Sequence, residues 1–304
     1  MIADPSVFQL DAFLVEEREE VERAIGRACD RLVPLLSDEL LGAACHGIRT
    51  PGKRLRPILC VVAYRACGGT TEAAVYDLGA SLELIHAYSL MHDDLPSMDD
   101  ASLRRGQPTT HTVFGERATI RAALALIPAA SLLAHRAAGD LGCDDRACRS
   151  VVRELNRAAG AGGMVGGQVL DLLAEGGELH AEELDRLHHM KTGAVITASL
   201  LIGGIAAGAS EGELGGLERF GRGIGLAYQV TDDLLDATAS AGDLGKNPSD
   251  GRLGKSTYVA LYGLEGTSRR ARTLVDEALE ALRRAEIEGP VLTALAQHVV
   301  ERKR

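Results

Sequence analysis

The chain has 304 residues, 46% hydrophobic and 25% charged, which is enough apolar material for a sizeable core. Aromatic residues make up only 3% and Trp is absent, so that core must be built from aliphatic side chains. A formal net charge of −10 excludes bulk attraction to nucleic acid, and no nucleic-acid partner is expected.

Leu10, Phe13, Leu14, Val21, Ile25, Ala28 and Leu32 recur at helical spacing up to Pro34. A loop follows at 47–52, and Pro57 stands early in the next helix, closed by Gly68-Gly69. Helices are predicted over 78–95 and 118–139. Residues 146–172 are helical by pattern but carry Gly160, Gly162, Gly163, Gly166 and Gly167. Helices over 181–208, 214–235, 257–284 and 291–303 complete the set. No alternating strand and no Asn-Gly hairpin is present. The expectation is all-α, one domain over 1–304, with many helices around a common core. Each glycine inside a helix costs about 0.5–1 kcal/mol relative to Ala, offset by close helix approach or by room for a ligand.

The six cysteines, Cys29, Cys45, Cys60, Cys67, Cys143 and Cys148, show no C-x-x-C spacing and read as thiols of a reducing compartment. The N-terminal residues lack a basic segment followed by a long apolar core, so no signal peptide is expected. The most apolar runs, 122–134 and 194–210, fall short of the 18 or so residues that span a bilayer, and Pro128 interrupts the first. A cytoplasmic protein with no membrane span is expected.

The chain is organised around residues 85–112, IHAYSLMHDDLPSMDDASLRRGQPTTHT. Asp93, Asp94, Asp99 and Asp100 fall within eight residues, with Arg104 and Arg105 just behind. Carboxylates so close raise one another's pKa unless a cation sits between them. Pro96 should end the preceding helix near Leu95, which puts Asp93 and Asp94 at a helix C-terminus. There the macrodipole disfavours anions by roughly 0.3–1 kcal/mol each. Hard oxygen ligands without Cys suit Mg²⁺, which on carboxylates usually bridges to substrate phosphates. The alternative is a solvated acidic turn.

A second acidic group, Asp232, Asp233 and Asp236, lies in AYQVTDDLLDATA. Asp232 and Asp236 share a helix face at i, i+4, and Val230, Leu234 and Leu235 indicate that the helix is packed. Two acidic groups from distant parts of one helical chain suggest facing metal-binding walls. The basic complement is Lys53, Arg56, Arg104, Arg105, Lys191, Lys246 and Lys255. Lys191 interrupts an apolar helix, where a lone ammonium needs an anionic partner. Singly each lysine reads as a solvated charge; together they fit a diphosphate. His86 is a candidate site residue or a satisfied core histidine, and His188-His189 reads as surface.

In this order, Gly52-Lys53-Arg54-Leu55-Arg56-Pro57, the D-D-x-x-x-x-D of Asp93, Asp94 and Asp99, and Leu103-Arg104-Arg105-Gly106 occur along the chain. Gly166-Gly167-Gln168, Lys191-Thr192-Gly193, Asp232-Asp233-x-x-Asp236 and Gly254-Lys255-Ser256-Thr257-Tyr258 follow. Together they resemble the trans-isoprenyl diphosphate synthases, most of all their bacterial farnesyl-forming members, from about Leu35 to the C-terminus. The resemblance implies an all-helical fold around a deep central cavity, a homodimer and three Mg²⁺ ions. It implies that Asp93, Asp94 and Asp99 bind metal from one wall, and Asp232 with Asp236 from the other. Gly52, Lys53, Arg56, His86 and Arg105 match positions that hold isopentenyl diphosphate. Arg104, Lys191, Lys246 and Lys255 match those on an allylic diphosphate, and Thr192 and Gln229 those near the developing cation. Tyr88, with small Ser89 beside it, matches the floor that sets product length.

Three places depart from the family pattern. Ala123-Leu124 stands where a Gly-Asp pair is usual, Arg121 where an apolar residue is usual, and the 247–252 loop is one residue shorter. The implied reaction is condensation of isopentenyl diphosphate with a dimethylallyl or geranyl diphosphate to farnesyl or geranylgeranyl diphosphate. A cyclase of the same fold would not need Lys53, Arg56 and Arg105 for a second diphosphate, and it would need interior aromatics for cyclic cations. A non-catalytic subunit would be free to lose the aspartates, and both acidic groups are intact.

Overall fold

The computed structural model describes residues 9–70, 73–174, 177, 179–238 and 256–302. Its helices are α1 (Leu10–Leu32), α2 (Asp38–Arg49), α3 (Leu55–Ala66), α4 (Ala73–Asp93), α5 (Thr110–Phe114), α6 (Glu116–Asp140) and α7 (Asp145–Ala159). They continue as α8 (Met164–Leu173), α9 (Ala181–His188), a π segment (His189–Gly193), α10 (Ala194–Ala207), α11 (Glu211–Thr238), α12 (Tyr258–Arg284) and α13 (Pro290–Glu301). The fold is all-α, as expected from the sequence.

Helices α4 and α10 are apolar on every side, and a helix without a polar face belongs in the interior. Val75, Leu78, Leu82, Leu84 and Ile85 of α4 are at most 1% exposed, and Val195, Ala198, Leu200 and Ile202 of α10 are equally covered. The other helices wrap these two: α1, α2, α3 and α6 pack on α4, while α3, α7 and α11 pack on α10. The outer helices are amphipathic, as in α7, whose Cys148, Val151, Leu155 and Ala158 form its buried stripe. Gly203 marks a close crossing, where a Cβ would overlap the Cys60 carbonyl of α3.

Four differences from the sequence reading have local causes. Residues 38–49 are helical rather than leading into a loop, because Ala43, Ala44 and Ile48 give them a narrow buried stripe. The helix expected over 146–172 breaks between α7 and α8, at Gly160–Gly163, where four small residues form a turn. A miniature hairpin pairs Leu103–Arg104 (β1) with Gln107–Pro108 (β2). Its turn residues, Arg105 (φ 53°) and Gly106 (φ 77°), both take the left-handed region that a two-residue hairpin turn requires. Finally, Glu116–Asp140 and the run 181–207 are long and apolar enough to cross a membrane by length and composition, although their central runs alone are not. Within this fold 50% and 61% of those windows are buried in protein, as core helices are.

Candidate active site

Helix α4 ends at Asp93, and the chain folds back over its own C-terminus. The Asp99 N–H donates to the Asp93 carbonyl at 2.9 Å, and the Ala101 N–H to the Asp94 carbonyl at 3.2 Å. The turn satisfies helix-end carbonyls and brings Asp99 beside Asp93. Burial pushes the Asp93 carboxyl pKa up and Asp99 adds to the rise, while Lys191 and Gln168 act against it. Gln168 Nε2 donates to Asp93 Oδ1 at 2.9 Å. Asp94 turns instead to Arg104, whose Nε and Nη2 reach its Oδ1 at 2.8 and 2.7 Å.

The sequence break at Lys191-Thr192-Gly193 is a π segment between α9 and α10, a local widening common at functional sites. Helix α8 lies so close that a Cβ on Gly167 would overlap the Lys191 backbone. Lys191 Nζ sits 2.5 Å from Asp171 Oδ2. Burial disfavours the ammonium, yet Asp171, Asp93 and Asp99 together hold its pKa above the ordinary lysine value. Thr192 Oγ1 donates to Gln229 Oε1 at 2.9 Å, and Gln229 Nε2 donates to Asp232 Oδ2 at 3.2 Å. Through this relay the π segment is tied to the second acidic wall on α11.

On that wall burial pushes the Asp232 carboxyl up and Asp236 adds to it, with Arg302 and Lys53 opposing. Arg302 reaches Asp232 Oδ1 at 2.7 Å from the C-terminal end of α13. Asp233 faces away, its Oδ2 accepting the Tyr258 N–H at 2.7 Å at the start of α12.

The basic cradle forms between loop 50–54, α4 and the β1–β2 turn. Arg105 donates to the Pro51 carbonyl and lies against Gly52, where a Cβ would overlap its guanidinium. Arg56 Nε is buried with no hydrogen-bond partner, an arrangement that calls for an anion. Burial lowers the Arg56 pKa, Glu83 raises it and Arg105 lowers it further. Burial, then the charges of Arg56, Arg105, Arg104 and Arg54, hold the His86 pKa well below the ordinary value, so its ring is neutral at pH 7. Tyr88 is 6% exposed and meets His92 edge to face at 4.8 Å; Ser89 is 5% exposed.

The structure thus puts Asp93, Asp99 and Lys191 within one another's electrostatic reach, ties Thr192 through Gln229 to Asp232 beside Lys53, and groups Arg56, His86 and Arg105. Lys246 and Lys255 lie outside the described residues. His188 and His189 are not surface residues: both are part-buried, and burial pushes the His188 pKa down to about 4. Asp171, Glu83 and Arg302 were not singled out from the sequence. Asp171 stands three residues after Gln168, and that i, i+3 spacing beside Gly166-Gly167 was the available signal.

The donor set fits Mg²⁺: hard carboxylate oxygens, partly desolvated and close enough for Asp99 to act on Asp93 and Asp236 on Asp232. Among the described residues no three such side chains converge to hold an ion unaided. Mg²⁺ needs only one or two carboxylates when phosphate oxygens and water complete its shell.

The family profile described as polyprenyl synthetase matches residues 37–296. The chain belongs to that family. It is 39% identical over 302 residues to the farnesyl diphosphate synthase of Escherichia coli (strain K12), covering 97% of this chain and 98% of that one. It is 41% identical over 280 residues to a chloroplastic geranylfarnesyl diphosphate synthase of Leucosceptrum canum, covering 90% and 75%. The apo crystal structure of an FPP/GFPP synthase from Zymomonas mobilis superposes with a TM-score of 0.80 at 31% identity, covering 95% of this chain and 99% of that one. Like its relatives, this polyprenyl synthetase is a prenyl transferase.

Proposed function

We propose that the protein condenses isopentenyl diphosphate with dimethylallyl or geranyl diphosphate to give farnesyl diphosphate, extending to geranylgeranyl diphosphate if the cavity admits one more unit. The observation that carries this is the pairing of two acidic walls with a separate basic cradle whose Arg56 Nε has no protein partner. One diphosphate belongs between Asp93 with Asp99 and Asp232 with Asp236, beside Lys191 and Arg104; the other belongs on Lys53, Arg56 and Arg105. Neutral His86 adds a hydrogen bond to the second without a further charge.

Three Mg²⁺ ions, held by Asp93 and Asp99 on one wall and Asp232 and Asp236 on the other, would supply Lewis-acid stabilisation of the leaving diphosphate. Asp94, a ligand expected from the sequence, is engaged by Arg104 instead. Lys191, fixed by Asp171, adds a preorganised positive charge at the same place. The allylic C1–O bond breaks and its electron pair leaves with the diphosphate. The Thr192 hydroxyl donates to Gln229, which turns the Thr192 oxygen lone pairs towards the cation. The isopentenyl double bond attacks C1, and the proton lost from C2 goes to the departing diphosphate. The aliphatic walls of α4 and α10 exclude the water that would quench the cation.

The active unit is proposed to be one catalytic domain over 1–304, acting as a homodimer in the cytoplasm. The test is purified protein with Mg²⁺, isopentenyl diphosphate and each allylic diphosphate, with products identified by mass. Elongated prenyl diphosphates are expected; release of a cyclic hydrocarbon from a single diphosphate would favour the cyclase reading instead.

A further inference from the structure

Between the two glutamates Glu22 and Glu83 lies Arg54, the second residue of Lys53-Arg54-Leu55-Arg56. It is 4% exposed and therefore cannot be a surface partner for a substrate. Its Nη1 donates to Glu83 Oε1 at 2.6 Å, and its Nε to Glu22 Oε1 at 2.7 Å. Its backbone is left-handed, φ 52°, a conformation that strains a non-glycine residue unless its surroundings hold it there. From that conformation α3 begins, and the Ile58 N–H donates to the Arg54 carbonyl at 3.2 Å. The residues on either side, Lys53 and Arg56, are those assigned to isopentenyl diphosphate.

The two glutamates are not equivalent. The Glu22 side chain is 43% exposed, so water screens its pair; the Glu83 side chain is 5% exposed and its pair is dry. Glu83 also stands one turn before His86 on α4. Its charge is felt by Arg56 and Arg105 as well as by Arg54, so one buried carboxylate faces three guanidinium groups. A cradle of mutually repelling cations with no substrate in it needs such a counter-charge to keep its shape.

We infer that Glu83 is a positioning residue for the isopentenyl diphosphate cradle. It anchors Arg54 in its left-handed turn and so aims Lys53 and Arg56, while its charge keeps Arg56 and Arg105 gathered. The inference rests on the two-diphosphate reading above and adds a residue with no contact to either substrate.

The experiment compares Glu83→Gln, Glu22→Gln and Arg54→Lys with the parent in KM for each substrate, in kcat, in Tm, and in calorimetric titration with isopentenyl diphosphate. Glu83→Gln should raise KM and the calorimetric Kd for isopentenyl diphosphate about tenfold while the allylic KM and kcat stay within about threefold. Glu22→Gln should move neither KM more than about twofold, because its end of the pair is in water. A loss of Tm with both KM values unchanged, or both raised alike, would assign Glu83 a purely structural role and overturn the inference. If Glu83→Gln does not fold, Arg54→Lys, which keeps the charge and loses the fork, must show the same selective rise; an unchanged KM there overturns it too. A parent that forms no prenyl product defeats the functional reading, and the calorimetric Kd then still decides the role of Glu83.

Discussion

Arg302 Nη2 lies 2.7 Å from Asp232 Oδ1, so the C-terminal end of the chain holds a carboxylate of the second acidic wall. The same guanidinium is 3.7 Å above the Tyr228 ring and donates to the Tyr228 carbonyl at 2.7 Å. A buried arginine tied three ways to α11 is a fixed positive charge where a metal ion would also bind. Arg302→Met should therefore destabilise the metal-free protein by about 1–3 kcal/mol, because Asp232 loses a desolvated partner. Mg²⁺ with inorganic pyrophosphate should restore much of that loss. Thermal melts with and without this pair test the coupling: the ligand-induced rise in Tm should be larger in the variant than in the parent. An equal rise would show that Arg302 and the metal do not share Asp232.

Asp171 gives a prediction on the opposite wall. Its carboxylate, 2.5 Å from Lys191 Nζ, keeps a part-buried ammonium charged and aimed beside Asp93. Asp171→Asn keeps the volume and one acceptor while removing the charge. The allylic KM should rise about tenfold or more, and the isopentenyl KM should change far less. Steady-state kinetics with each substrate varied in turn distinguishes the two, and a larger effect on isopentenyl diphosphate would reverse the assignment of Lys191.

Much of this site was readable before the fold because its residue types are costly without a ligand. Asp93 and Asp94 at a helix end, and Lys191 in an apolar helix, each violate a local preference that only a site explains. Helices α1, α6 and α11 were equally readable, since their apolar residues keep a 3.6-residue period over many turns, and α4 was readable as an apolar run stopped by Pro96. Helix α2 was not, because its stripe of Ala43, Ala44 and Ile48 is narrow and glycines flank it. The π segment shifts the helical phase over a single turn, too short a stretch for a periodicity read over about 11–18 residues to reveal. The roles of Glu83, Asp171 and Arg302 depend on contacts 29, 20 and 70 residues away in sequence, which periodicity does not carry.

His188 makes stability depend on pH in a defined direction. Burial is the main cause of its pKa of about 4; Lys191 lowers it further, and Asp171 and Asp185 oppose. The unfolded chain takes up a proton at His188 near pH 6.5, whereas the folded protein resists until about pH 4. Stability from this group is therefore complete above about pH 6.5 and is lost as pH falls towards 4, by up to about 1.4 kcal/mol per pH unit. Urea unfolding of metal-free protein at pH 7, 6 and 5 should show a shallower fall for His188→Phe than for the parent. The same slope in both would place the acid sensitivity elsewhere, among His46, His86, His92 or His189, whose pKa values burial also lowers.

Product length gives the last prediction. Tyr88 lies five residues before Asp93 on α4, so its Cα stands about 7.5 Å further from the metal end of the helix. It is 6% exposed, and its ring meets His92 edge to face at 4.8 Å, which fixes its orientation. Ser89 beside it is small, and its hydroxyl is committed to the His86 carbonyl at 2.8 Å, so it does not obstruct a chain growing from Asp93. A bulky position with a small neighbour is what a floor requires, and under the proposed function the growing prenyl chain would pass Ser89 and stop at the ring. Tyr88→Ala removes the ring and should extend the product by at least one five-carbon unit, read directly from product masses. It should also cost about 3–5 kcal/mol of stability, as aromatic truncation in a packed core does, so the assay belongs well below the variant's Tm. Tyr88→Phe keeps the volume and should leave product length unchanged, because the hydroxyl takes no part in the block. A folded, active Tyr88→Ala that still makes only the parent product would show that the chain stops elsewhere and that Tyr88 is core filling between α4 and its neighbours.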